Sequence, residues 1–181
     1  MDAQTNVIST GQKIRTVDIT VTAAMAALVF LGTYIFKIPT ISGYVHLGDC
    51  MILLTVALFG MKKGAIAGAI GGGLSDFIGG YFYWVVPTLL IKCMWAIVMG
   101  LIMHKVLKDK KGSFLIGAIA GGVLHIIAYT LVRVVLYGGK TAIIEIPALA
   151  FQTGVGIVIG FVIYMLLKKS GVAGRLSGMV K

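Results

Sequence analysis

Apolar residues along this chain fall in runs of about 15 to 25, separated by short stretches of lysine, glycine, proline and aromatic residues. Runs of that length suit helices crossing a hydrocarbon layer of about 30 Å, whereas barrel strands would alternate apolar and polar residues in segments of about ten. The pattern predicts six spans: Ile19–Phe36, a short second one ending near Gly60, Gly64–Tyr81, Pro87–His104, Ser113–Tyr137 and Ile143–Leu167. Pro39 ends the first, because it removes a donor and fixes its own φ. A loop over residues 40–46 leads into the second, and Met61-Lys62-Lys63 makes a tight turn after it. Phe82, Tyr83 and Trp84 read as an interfacial aromatic belt.

Composition turns this pattern into a class. The 181 residues are 59% hydrophobic and only 12% charged, with a mean hydropathy of +1.01. A soluble domain is nearer one quarter charged, so a single all-α transmembrane domain over residues 1–181 is expected. The net charge of +10 does not form a nucleic-acid patch. Its basic residues stand in blocks between alternate spans: Lys13 and Arg15, Lys62 and Lys63, Lys105 to Lys111, then Lys168, Lys169, Arg175 and Lys181. By the positive-inside rule both termini lie in the cytoplasm, with residues 1–18 as an N-terminal segment and 168–181 as a tail. Met1 to Asp18 is too polar and long for a signal peptide, so the first span is expected to stay. Cys50 and Cys93 read as small buried hydrophobes, without the spacing of a metal site.

That orientation gives each ionisable residue a depth. Asp49, Asp76, Lys92, Arg133 and Glu145 all fall in the outer half, with His125 deeper. A charge within the membrane costs about 2.5–3.5 kcal/mol on insertion scales, so it needs a partner or a wet cavity. Asp76 and Lys92, at similar depth on consecutive spans, are natural ion-pair candidates. The group either ties the bundle together or lines a solute pocket; for Arg133 and Glu145, nearer the interface, the structural role leads. Convergence beneath a loop carrying Tyr44 and His46 favours the pocket. Helical phase points the same way. Gly64, Gly68, Gly72, Asp76 and Gly80 share one stripe, and Gly117, Gly121, His125, Tyr129 and Arg133 share another. Glycine toward the cytoplasmic side allows close helix contact; polar groups above it leave a pocket.

Several sequence signals lead nowhere. Gly138-Gly139-Lys140-Thr141 resembles the tail of a P-loop, but Val134 replaces the required first glycine and the segment lies outside. Gly154, Gly156 and Gly160 lack dinucleotide-binding spacing, and no metalloprotease or hydrolase motif occurs. The chain is therefore expected to be no enzyme and to hold no cofactor. Any ATP that drives it is hydrolysed by another subunit.

Four segments carry a family resemblance. They are Gly43-Tyr44-Val45-His46-Leu47-Gly48-Asp49, then Phe59-Gly60, then Gly68 to Asp76 with Gly79-Gly80-Tyr81, and Pro87-Thr88-Leu89-Leu90-Ile91-Lys92. Together they resemble the substrate-binding S components of energy-coupling factor (ECF) vitamin transporters over nearly the whole chain. The resemblance implies capture of one small vitamin-like solute at the outer surface of the cell membrane. It also implies docking, through Ala23 and Ala27 of the first span, on a transmembrane coupling protein attached to two cytoplasmic ATPases. Gly43, Tyr44 and His46 would gate the site, with Asp49, Asp76, Tyr83, Trp84, Lys92, His125 and Tyr129 as further candidate solute contacts. The second span lacks the aspartate-rich signature of riboflavin S components, and the chain lacks the tryptophan density of thiamine ones. The expected solute is thus pyridoxine or hydroxymethylpyrimidine, with pantothenate or riboflavin as alternatives. A stand-alone ion-coupled carrier is the competing class, but neither inverted repeats nor broken helices support it.

Overall fold

The computed structural model describes residues 15–180. Residues 1–14 of the expected N-terminal segment, with the signal-peptide question and Lys13, lie outside the described residues, as does Lys181. The elements are α1 (Thr16–Tyr34), β1 (Ile38–Thr40), β2 (Gly43–Val45), α2 (Asp49–Phe59), α3 (Met61–Ile78), α4 (Phe82–Gly100), α5 (Ser113–Tyr137), α6 (Gly139–Lys169) and α7 (Val172–Gly178), with a π-helical stretch, Leu101–Val106, continuing α4. Apart from one antiparallel hairpin, the regular structure is helical.

The chain is an all-α, multi-pass membrane protein, yet the six expected spans are not equally developed. Among the described residues four helices are long and apolar enough to cross a membrane: Thr16–Tyr34, Phe82–Val106, Ser113–Tyr137 and Gly139–Lys169. With 11 residues, α2 is only about 16 Å long. It sits in the middle of the bundle, where protein rather than lipid surrounds it. Across its 18 residues α3 carries Lys62, Lys63 and Asp76, too many charges for an ordinary apolar span.

Packing follows the small residues. α2 lies between α3 and α6, α1 and α4 complete its surroundings, and α5 bridges α4 and α6. Ile52, Leu53 and Val56 of α2 are wholly buried beside Val29, Trp95 and Met99. Gly64 and Gly68 of α3 rest against Val56 and Ile52, and Gly121 of α5 rests against Trp95, so the glycine stripes do mark close helix contacts. α3 begins earlier than the pattern suggests because Gly60, at φ 91°, reverses the chain in one residue. The predicted fifth span coincides with α5.

The expected loop over residues 40–46 contains the hairpin instead. Ile38 pairs with Val45 and Thr40 with Gly43, leaving Ile41 and Ser42 at the tip. Its strands have three residues each and include Pro39, which hides them from a sequence reading. One end of the bundle thus carries the hairpin. The other carries Lys62, Lys63, Lys105, Lys168 and Lys169.

Candidate functional site

At the hairpin end the polar side chains sort into a cavity and a floor. The cavity is lined from the hairpin by Gly43, Tyr44 and His46, and from the helices by Thr33, Asp76, Trp84, Thr88, Tyr129, Arg133, Leu149 and Gln152. Its volume is about 40 Å³, against roughly 300–1,000 Å³ for pockets that hold small ligands. The hairpin is drawn down onto it. Tyr44 donates its hydroxyl proton to Asp76 Oδ1 at 2.5 Å. Lys37 donates to the Ser75 carbonyl at 3.2 Å, with its ammonium over the Tyr34 and Tyr44 rings at 4.5 and 4.4 Å. Burial pushes the Tyr44 phenol up, and Asp76 adds to the shift, so Tyr44 stays a donor.

Several buried atoms in this lining lack a partner. Thr33 Oγ1, Asp76 Oδ2 and Arg133 Nη1 make no hydrogen bond, although a buried polar group is normally paired. His46 offers a further donor. Its Nδ1 accepts from the Gly48 amide at 3.1 Å, which leaves the proton of the neutral ring on Nε2. The polar contact of Nε2 is with the Gln152 amide nitrogen at 3.5 Å, itself a donor, which already serves Asp49 Oδ2 at 2.7 Å. The cavity therefore presents a carboxylate acceptor and two N–H donors. Aromatic faces flank them, with the Trp84 and Tyr129 ring centres 5.6 Å apart. Tyr129 is fixed by donating to Thr88 at 2.8 Å.

The floor is a closed network. Lys92 pairs with Asp49 at 2.5 Å and donates to His125 Nε2 at 3.1 Å. The Thr153 hydroxyl donates to the Leu149 carbonyl at 2.8 Å, so at 3.1 Å it accepts from His125 Nδ1. That direction fixes the His125 tautomer with its proton on Nδ1. Lys92 and Asp49 satisfy each other, with exposures of 1% and 0%. The expected Asp76–Lys92 pair is thus replaced by Asp49–Lys92, because α2, not α3, places its carboxylate beside Lys92.

Of the expected site residues, Gly43, Tyr44, His46, Asp76, Trp84 and Tyr129 line the cavity, while Asp49, Lys92 and His125 lie in the floor. Tyr83 is not brought to the site: it is 81% exposed, turned outward one residue before buried Trp84. Ala23 and Ala27 stand on the exposed side of α1, whose buried residues are Ala26, Val29 and Thr33. Sequence reasoning missed Thr33, Thr88, Leu149 and Gln152. For the last two a signal existed: Glu145, Leu149, Gln152, Gly156 and Gly160 form a single buried stripe on α6. No group of His, Cys, Asp and Glu suited to a metal occurs among the described residues.

Comparison with known proteins adds two findings. A family model described as "ECF-type riboflavin transporter, S component" matches residues 13–169. A protein of Pyrococcus woesei, described as "Uncharacterized protein in gap 3'region", is 36% identical over 132 residues, covering 73% of this chain and 87% of its own. The family match supports the S-component resemblance and overturns its assignment to the pyridoxine, hydroxymethylpyrimidine or pantothenate group. That assignment rested on the missing aspartate-rich signature of the second span and on low tryptophan density, and the match over residues 13–169 shows that a chain without that signature still fits the riboflavin family model.

Proposed function

Because the chain belongs to the family of ECF-type riboflavin transporter S components, we propose that it captures riboflavin at the outer face of the membrane. It is a non-catalytic transport subunit of vitamin uptake. The observation that carries the substrate reading is the set of buried, unpartnered polar atoms in a cavity that Trp84 and Tyr129 also line. Riboflavin is uncharged and flat, with an imide edge that alternates carbonyl, N–H and carbonyl, and a hydroxylated tail. Asp76 Oδ2 suits its donors; Arg133 Nη1 and His46 Nε2–H suit its carbonyls. Trp84 and Tyr129 supply faces for the ring system. Lys92 is neutralised by Asp49, so the floor holds no free cation for an anionic solute. A cavity of about 40 Å³ admits the vitamin only when the hairpin lifts, which gives Gly43, Tyr44 and His46 the role of a gate.

The topology belongs to the same proposal. The lysine-rich end lies in the cytoplasm and the hairpin outside, with α1 to α6 making six passes in a single S-component domain. α3 qualifies despite its charges: Ile66, Ile70, Leu74 and Phe77 form an exposed apolar stripe opposite its glycines. Energy comes from a separate coupling protein and two cytoplasmic ATPases, with Ala23 and Ala27 on α1 as the docking face. Titration of the purified protein with riboflavin, followed by quenching of flavin fluorescence, tests the substrate. Saturation at one flavin per chain, undisturbed by excess pyridoxine, is expected. Unchanged fluorescence together with tight binding of pyridoxine would overturn it.

A further inference from the structure

We infer that Arg133 couples solute recognition to closure of the β1–β2 hairpin, and that Glu145 is the residue that positions it. The inference rests on the riboflavin reading for its solute and on geometry for the coupling. The guanidinium of Arg133 has three distinct environments. Nε donates to the Ser42 hydroxyl at the hairpin tip at 3.2 Å. Nη2 faces Glu145 Oε2 at 3.6 Å, within ion-pair range but beyond a hydrogen bond. Nη1 is buried without a partner, on a side chain that lines the cavity.

Glu145 closes the circuit. Its Oε1 accepts from the Ser42 amide at 2.8 Å, so one residue of the hairpin is held at its main chain by α6 and at its side chain by α5. The Arg133 guanidinium also lies 5.4 Å over the Trp84 ring, a cation–π contact within the same cavity lining. A carbonyl oxygen bound in the cavity supplies the acceptor that Nη1 lacks and holds the guanidinium against Ser42. With the cavity empty, a loose contact with Glu145, one neutral hydroxyl and the Trp84 face hold it. Solute and lid therefore share one cation. Arg133 touches the solute; Glu145 and Ser42 act through it.

Flavin dissociation measured by stopped-flow fluorescence tests the coupling. Glu145→Gln and Ser42→Ala are each expected to speed dissociation about tenfold while association is unchanged or faster. Arg133→Lys, which keeps the charge but not the fork, is expected to do the same. Combining it with Ser42→Ala should add little, because both break one linkage. Dissociation rates equal to the parent's, or fully additive losses, would overturn the coupling. A second measurement needs no solute. Val45→Cys, introduced into a Cys50→Ala/Cys93→Ala chain, places a buried thiol within β2 of the hairpin. Glu145→Gln is expected to raise its maleimide labelling several-fold, and unchanged labelling would overturn the latch. If the parent fails to quench flavin, the substrate reading falls, and the labelling result still decides the latch.

Discussion

Asp76 accepts a hydrogen bond from Tyr44 on one carboxylate oxygen, while its other oxygen is buried without a partner. Asp49, one helix away, spends both oxygens on Lys92 and Gln152. The carboxylate expected to pair with Lys92 thus keeps an oxygen free, while Asp49 takes the lysine and is fully paired. Asp76→Ala is expected to weaken flavin binding by about tenfold or more in the quenching titration, the scale of a lost hydrogen bond to a charged group. His46 gives a pH dependence. Burial holds its imidazole down at about 4 from an ordinary 6.5, with Lys92 and Lys37 pushing the same way and Asp49 opposing them. The unfolded chain therefore takes up a proton between those values that the folded form refuses, and stability falls as pH drops through that window. Thermal unfolding in detergent should show this loss, and His46→Gln should make it shallower. That these residues gather at one end of the bundle was legible from the sequence. Their pairing was not, because depth along a helix says nothing about which neighbour turns toward it.

The middle of the molecule depends on α2 and what binds it. Its Asp49 is joined to Lys92 of α4 and Gln152 of α6, so a helix of 11 residues is tied into the bundle from two sides. Lys92→Met leaves the Asp49 charge buried and unpaired, and is expected to cost about 3–5 kcal/mol, read as a fall in the midpoint of thermal unfolding. Adding Asp49→Leu should recover much of that stability, because it removes the stranded charge. Long elements were well marked: α5 reads directly from its apolar run and its stripe of Gly117, Gly121, His125, Tyr129 and Arg133, all buried. The hairpin was hidden by its three-residue strands, and α7 is a single short helix, without a fully buried residue, that no apolar run announces. Short elements draw their stability from what they pack against, and a sequence reading sees only their own residues.

Taken whole, the chain is a non-catalytic transport subunit, and its surface is uneven. α1 is the most loosely embedded of the four long apolar helices, with 17% of its apolar window buried. If its small residues form the docking face, Ala23→Leu and Ala27→Leu should abolish co-purification with the coupling protein and ATPases while flavin quenching is unchanged. Uptake of flavin into liposomes by this chain alone would instead reveal a free-standing carrier. The buried Asp49 also imposes an order on biogenesis. Its partners Lys92 and Gln152 lie 43 and 103 positions further along the chain, and synthesis delivers them in that sequence. A nascent chain halted after α5 would hold α2 with one carboxylate oxygen unanswered, in a segment too short to rest in lipid by itself. A chain truncated after α5 is therefore expected to be cleared from the membrane faster than one that includes α6, as a pulse-chase measurement would show.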